Sequence, residues 1–419
     1  MELSPLVPVV QEFPNRGIAD IENAVRTQLR ERGIGSDLRP GARVAITAGS
    51  RGVSNIALIT RAVAAHFAEL GLLPFVIPAM GSHGGGTAEG QADVLAHYGI
   101  TEATVGCPVV SSLDVVELGR TPEHGIPAFM DRNAFESDGV FLVNRVKWHT
   151  TFEAEAESGL LKMAAVGLGK LHGAGTYHRN AVRLGFGTVM REVGRHVIAS
   201  SGKVLGGLAV LEGAHHETAD VVALRAGEID AQEPALLRRV LEWMPRILYR
   251  EVDVLLVEEV GKHISGVGMD SKVVNRHPYG GGNLWPWAPR IFRIYVRNLS
   301  PLSYGNAIGI GMADVIPERL YEQIDWHATK VNAVTASNLT AIRTPVRVGS
   351  DREALELMAR VVGRDRVQDV TCVWIRNTLE LSRILVTENL GVVDGVERAG
   401  PARAWEFDEA GNVAGGFSV

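Results

Sequence analysis

Cysteine is nearly absent from this chain. Cys107 and Cys372 are the only two, far apart and without a CxxC pair. That excludes a disulfide framework and a thiolate zinc site, and fits a reducing compartment. A basic excess is also missing: 42 Lys and Arg against 48 Asp and Glu give a formal charge of -6. Non-specific nucleic-acid affinity comes from a basic surface, so a phosphate-backbone binder is not expected. No apolar run reaches the length of a membrane span. The opening MELSPLVPVVQEFP has neither a basic n-region nor a secretory apolar stretch. The cytoplasm is therefore the expected location, with no membrane and no nucleic acid as partner.

Glycine, by contrast, is abundant, with 47 in 419 residues. The glycines cluster at the ends of strand-like runs, where backbone turns sharply or approaches a ligand. A chain this long exceeds one compact core, so two domains are expected. Residues 20–33 read as an amphipathic helix. A short β-type run at Val44–Thr47, the loop AGSRGVSN and a helix over about 55–70 follow. A strand at Leu73–Pro78, the loop MGSHGGGT and a helix ending near Tyr98 repeat the rhythm. Strand, loop and helix in alternation predict a parallel sheet with helices on its faces. Ligands in such sheets sit beyond the carboxyl ends of the strands. The loops at Ser50–Arg51 and Ser82–Gly86, and the segment after the strand Gly139–Val143, should then share one edge. Lys203–Leu211 reads as a strand and Glu233–Leu248 as a helix. A second α/β series opens at Asp253–Val257. The expected fold is two α/β domains with largely parallel sheets, divided as 1–249 and 250–419, with the active site in the cleft between them. Gly261–Arg290 is a long irregular segment, and loops of that length are usually functional.

Several residues carry chemistry. Gly81-Ser82-His83-Gly84-Gly85-Gly86 follows a strand and opens a helix, where backbone amides and the helix dipole favour an anion. It is neither a P-loop nor GxGxxG, and a tight strand-to-helix turn is the plain alternative. Arg51 sits one βα unit earlier, where a guanidinium suits carboxylate or phosphate; a solvated surface arginine is its alternative. The stretch His149–His178 places a lysine, Lys162, between two histidines. Leu161, Ala165 and Leu168 form its helical stripe, Lys162 lies at the stripe's edge, and HGAGTYH reads as a glycine-rich turn before His178. Glu153, Glu155 and Glu157 precede the helix, where acidic residues suit its N-terminus. One imidazole and one amine are too few for a protein-bound zinc, but adequate if a cofactor brings most of the ligands. His215-His216 and His263 are further candidates, and Ser50 and Ser82 lack the GxSxG context of a hydrolase.

These residues together resemble the nickel-dependent lactate racemase family of 2-hydroxyacid racemases and epimerases, most strongly from about Ile46 to Asn180. A Ser-Arg loop follows one strand, a Gly-Ser-His loop the next, and a histidine follows FLVNRVKWH. A lysine then precedes a histidine by sixteen residues. The resemblance implies a nickel-pincer nucleotide, a pyridinium thioamide/thiocarboxylate mononucleotide, bound covalently to Lys162 with His178 as the protein ligand to nickel. It implies His83 and His149 as the acid/base pair and Arg51 as the group on substrate carboxylate or cofactor phosphate. Ser50, Gly81, Ser82 and Gly84 would line the cofactor, and Lys272 would contact substrate. The implied isomerase removes a hydroxyl proton while hydride leaves the α-carbon for the cofactor. The resulting 2-keto acid is planar and can be re-reduced on either face. Two bases near neutral pKa suit that reversibility. Cofactor-synthesis enzymes are then implied partners.

The chain departs from the typical lactate enzymes at the long His149–Lys162 interval, at Gly-Leu-Leu before the lysine, at Ala48 and at Trp285-Pro-Trp287. These departures imply a 2-hydroxy acid other than lactate, with larger polyol acids as one option. Lys170 is a rival anchor. A lyase or hydrolase using His83 and His149 without nickel, or a nucleotide- or metal-binding protein without turnover, are the alternative readings.

Overall fold

The computed structural model describes residues 3–50 and 52–419. The chain divides into two units, Pro14–Met244 and a second that joins the residues up to Phe13 to Pro245–Val419. The linear division into 1–249 and 250–419 is therefore corrected at both ends. The first strand, β1 (Leu6–Gln11), pairs antiparallel with residues 383–387, far along the chain. The Gln11 side chain adds to this by donating to the carbonyls of Arg246 and Leu381 and accepting from the Leu248 amide. Nothing in LVPVVQ names its partner strand, because pairing uses backbone groups that every sequence carries.

Alternation of period two builds the sheet of the Pro14–Met244 unit. In β2 (Arg43–Ala48), Val44 and Ile46 enter one core while Ala45 enters the other. β3 (Leu73–Pro78) lies beside it. A hairpin of β4 (Val115–Arg120) and β5 (Pro127–Asp131) stands apart as its own two-stranded sheet. In β6 (Gly139–Arg145), Phe141 and Val143 join the first core and Val140 and Leu142 the second. β7 (Val204–Glu212) and β8 (Thr218–Arg225) complete the order β3-β2-β6-β7-β8. The first four strands are parallel and β8 is antiparallel. Both faces are covered, as parallel sheets require. Helices Ile21–Glu31 and Ile56–Glu69 contribute Val25, Leu29, Ile59 and Phe67 to one core. Helices Phe186–Ser201 and Ile229–Trp243 contribute Val189, Val193, Leu237 and Val240 to the other.

The second unit carries β9 (Glu251–Val260), β10 (Arg290–Leu299), β11 (Val315–Pro317), β12 (Val346–Val348), β13 (Cys372–Ile375), β14 (Arg383–Thr387) and β15 (Val396–Arg398). Its order is β12-β11-β10-β9-β13-β14-β1-β15, parallel from β12 to β13 and antiparallel beyond. Both units are thus α/β with largely parallel sheets. Among the described residues, no helix is long and apolar enough to cross a membrane.

Candidate functional site

Lys162 and His178 belong to one interrupted helix. It starts as Leu160–Lys162, widens into a π-turn at Met163–Gly167 and continues as Leu168–Leu184. The glycine-rich turn expected at HGAGTYH is therefore a correction: that segment is helical. Gly173 in it, and Gly169 just before it, serve packing instead. A Cβ on Gly169 or Gly173 would lie 3.0 or 2.9 Å from the Tyr177 ring. That ring is buried, and its hydroxyl accepts the Phe129 amide at 3.1 Å. The helix breaks once, at Lys170, whose φ of 55° lies in the left-handed region. π-turns and left-handed non-glycine residues are costly and concentrate at functional segments.

Burial disposes of Lys170 as a rival anchor. Its side chain is wholly enclosed, donates to the Pro78 carbonyl at 2.5 Å and stands 3.4 Å from the equally buried Asp131 carboxylate. Burial lowers the lysine and raises the aspartate relative to their ordinary pKa values, and their mutual attraction opposes both shifts. Lys162, in contrast, is only half-buried.

Two helices fix the backbone before Lys162. Glu233, from helix Ile229–Trp243, accepts the Leu160 and Leu161 amides on one carboxylate oxygen at 2.6 and 3.1 Å. A Cβ on Gly159 would lie 2.6 Å from that carboxyl group, and one on Gly194 would lie 2.7 Å from the Leu161 carbonyl oxygen. Glu233 is fully buried, and desolvation pushes its pKa up to about 7 against the opposing pull of the two amides. Its second oxygen, Oε1, is buried without a hydrogen-bond partner. The expectation that Glu153, Glu155 and Glu157 would serve this helix start is corrected. Glu157 instead accepts the His149 amide at 2.5 Å and the Ala154 amide at 3.4 Å. With a bridge between Lys147 and Ser158, it closes residues 147–158 into a pinned loop. That loop makes up most of the interval between His149 and Lys162.

The carboxyl ends of β3, β2 and β6 lie side by side, and their loops meet this helix. A Cβ on Gly49 would be 3.4 Å from the Met163 methyl, and one on Gly81 would be 2.9 Å from the Ala174 side chain. The Ser50 carbonyl accepts from Tyr98 at 3.4 Å, and Ser82 is exposed. His83 is half-buried and precedes three consecutive left-handed glycines, Gly84, Gly85 and Gly86. At Gly84 a Cβ would fall 2.3 Å from the Gly90 backbone, whereas at Gly85 it would meet open space. The Asn144 side chain donates to the Gly159 carbonyl at 2.7 Å. Beyond it, His149 stacks on Phe152, ring centroids 4.4 Å apart, and lies 6.1 Å from Phe186. His178 lies 5.0 Å from Phe186. Phe152 and Phe186 were not legible as site residues, since an isolated phenylalanine reads as core. The His178 imidazole is held below its ordinary pKa by burial and then by the charge of Lys162.

An imidazole kept neutral is a competent metal ligand. Among the described residues, the only three carboxylate, imidazole or thiolate groups close enough to share an ion are Glu123, His124 and Glu192. They sit at the β4–β5 turn and on helix Phe186–Ser201. A metal at His178 would therefore have to bring other ligands with it. The Lys162 amine, whose charge bears on that imidazole, and the glycine-loop backbone bordering open space at Gly85 are compatible with such a cofactor.

No family model matches this chain, and no curated protein matches it either. Among solved structures it is similar to the lactate racemase apoprotein from Thermoanaerobacterium thermosaccharolyticum. The TM-score is 0.48 at 11% identity, over 90% of this chain and 99% of that one. A likeness at this level decides neither chemistry nor substrate.

Arg51 lies outside the described residues. Lys272 belongs to the other unit, where it is buried with its ammonium 6.0 Å from the Trp285 ring centre. His263 is also in that unit, while His215 and His216 occupy the β7–β8 turn.

Proposed function

We propose that this protein is an isomerase, a racemase or epimerase of a 2-hydroxy acid, that works with a nickel-pincer nucleotide. The observation that carries the reading is the pairing of Lys162 with His178 on one interrupted helix, close enough for the lysine charge to bear on the imidazole. Lys162 is the covalent anchor and His178 the metal ligand. The amides of the Gly81–Gly86 loop, with Ser50, Ser82 and Arg51, hold the phosphate and carboxylate groups. When bound, the cofactor supplies a two-electron acceptor for reversible oxidation of the α-carbon.

The proton work falls to this chain's own side chains. His149 is oriented through Nδ1, which lies 3.0 Å from the Thr151 hydroxyl and accepts the Thr151 amide at 3.2 Å. In the protonated ring Nδ1 donates to that hydroxyl and Nε2–H is the acid. With Nδ1 accepting the Thr151 amide the neutral ring carries its proton on Nε2, whereas a proton on Nδ1, donated to the Thr151 hydroxyl, leaves Nε2 free to act as the base. His83, on the rigid glycine loop, is its counterpart. Phe152 and Phe186 pack by the His149 ring, and His83 and His149 can each exchange a proton with the substrate hydroxyl.

Intact-mass and metal analysis of protein made together with nickel-pincer synthesis enzymes tests this reading. The expected result is a nucleotide adduct on Lys162 and one nickel per chain. Lys162→Ala should lose the adduct, and His178→Ala should lose nickel while keeping the organic part. No adduct under those conditions would refute the proposal and leave the nickel-free lyase, hydrolase or binding readings.

A further inference from the structure

In the second unit, the long segment between β9 and β10 forms a hollow of about 400 Å³ with β10 and the residues leading into β11. Three arginines, Arg276, Arg290 and Arg293, and His277 line it, beside the backbone of Gly280–Gly282. Asp314 is the one carboxylate in its wall. We propose that this hollow is an anion site for a small phosphorylated molecule, with the three guanidinium groups receiving the phosphate.

The charges there are fixed in place but little neutralised. Arg276 donates to the main-chain carbonyls of Ile291 and Phe292 at 2.7 and 3.0 Å, and Arg293 to those of Phe292 and Val361 at 2.7 and 3.2 Å. Carbonyl partners orient a guanidinium without cancelling its charge. Arg293 makes no ion pair with a carboxylate among the described residues. The Arg276–Asp314 contact is long, at 3.8 Å, and Asp314 is already engaged by the Ile294 amide at 2.7 Å. Among the described residues the one carboxylate that Arg290 meets is Glu251, also at 3.8 Å, and both side chains are more than half exposed, so water screens that pair. Burial and the nearby positive charge of Arg293 both lower the pKa of Arg276, with the Asp314 charge opposing them. Gathering like charges round one hollow costs free energy unless an anion occupies it.

The glycines give access. Gly280 and Gly281 have φ of 105° and 98°, a region that side chains avoid. A Cβ on Gly282 would sit 2.7 Å from the Arg276 guanidinium. Bare backbone therefore forms the wall beside the arginines. Planar, multidentate donors match phosphate oxygens better than a single carboxylate. The volume exceeds what one phosphate ion fills and falls within the range of small-molecule pockets. The Trp285 ring centre is 6.1 Å from that of His277 and 6.0 Å from the Lys272 ammonium.

The test uses the full chain and inorganic phosphate as the probe, titrated calorimetrically at constant ionic strength against chloride. The expected result is saturable binding in the millimolar range or tighter, weakened at least ten-fold by Arg293→Gln and by the more exposed Arg290→Gln. Far-UV circular dichroism verifies that each variant is folded. Phosphate held by the Gly81–Gly86 loop would be indifferent to both substitutions, so the variants separate this site from the proposed cofactor site. A titration no different from chloride, or both folded variants binding as tightly as the parent, would overturn the proposal.

Discussion

Replacing Glu233 by glutamine tests whether a buried carboxyl group sets the start of the Lys162 helix and makes its stability depend on pH. The carboxyl group is wholly enclosed, with one oxygen on two amides and the other without a partner. Desolvation raises its pKa from 4.5 to about 7. A raised acid binds its proton more tightly in the folded state, so stability falls as pH climbs between those values and is level outside them. At about 1.4 kcal/mol per pKa unit, the cost of ionisation above neutral pH is on the order of 3 kcal/mol. Glutamine keeps an acceptor oxygen for Leu160 and Leu161 but cannot ionise. Amide exchange of the 159–167 segment, compared at about pH 5 and about pH 8 after correction for intrinsic rates, should show the parent losing protection that Glu233→Gln retains. Parallel pH dependences in the two proteins would refute the argument. Glu233→Ala should be destabilised at both pH values, because two buried amides lose their acceptor at about 1–3 kcal/mol each.

The remaining expectations concern three other positions. Lys170→Met should cost about 3–5 kcal/mol in chemical denaturation by leaving Asp131 buried and uncompensated, and adding Asp131→Asn should recover much of it. An unchanged denaturation midpoint in the single variant would show that the pair is not coupled. Gly84→Ala forces a side chain into a left-handed residue against the Gly90 backbone. It should lower stability by at least about 1 kcal/mol and weaken cofactor loading; normal loading by mass spectrometry would contradict the tight-loop account. His149→Ala should retain adduct and nickel while slowing isomerisation by about 10²–10⁴-fold, measured by loss of optical rotation. Undiminished turnover would remove His149 from the acid/base role.

The strand-loop-helix rhythm of the first hundred residues was readable because it rests on local signals. Leu73–Pro78 appears as expected. Helices Ile21–Glu31, Ile56–Glu69 and Ala88–His97 fall within a few residues of their expected bounds. Periodicity of two and of 3.6 is written in neighbouring residues, as are the glycines that follow a strand. The β4–β5 hairpin escaped notice because its pattern is weak and its partners are helices distant in sequence. The helix through HGAGTYH escaped for the opposite reason: its two glycines are a strong local turn signal, and only the Tyr177 ring explains Gly173.

By itself, then, the sequence determined the α/β class, the strands and the loops that carry His83 and His149, and Lys162 at the edge of an apolar stripe. Tertiary structure alone decided that β1 lies within the sheet of the unit that holds Pro245–Val419, that Lys170 is spent on Asp131, and that Glu233 rather than Glu157 receives the helix start. It also put Lys162 and His178 in electrostatic reach, and gathered three arginines round one hollow. Each of these turns on which distant groups share a small volume, and burial converts that neighbourhood into altered charge and hydrogen bonding.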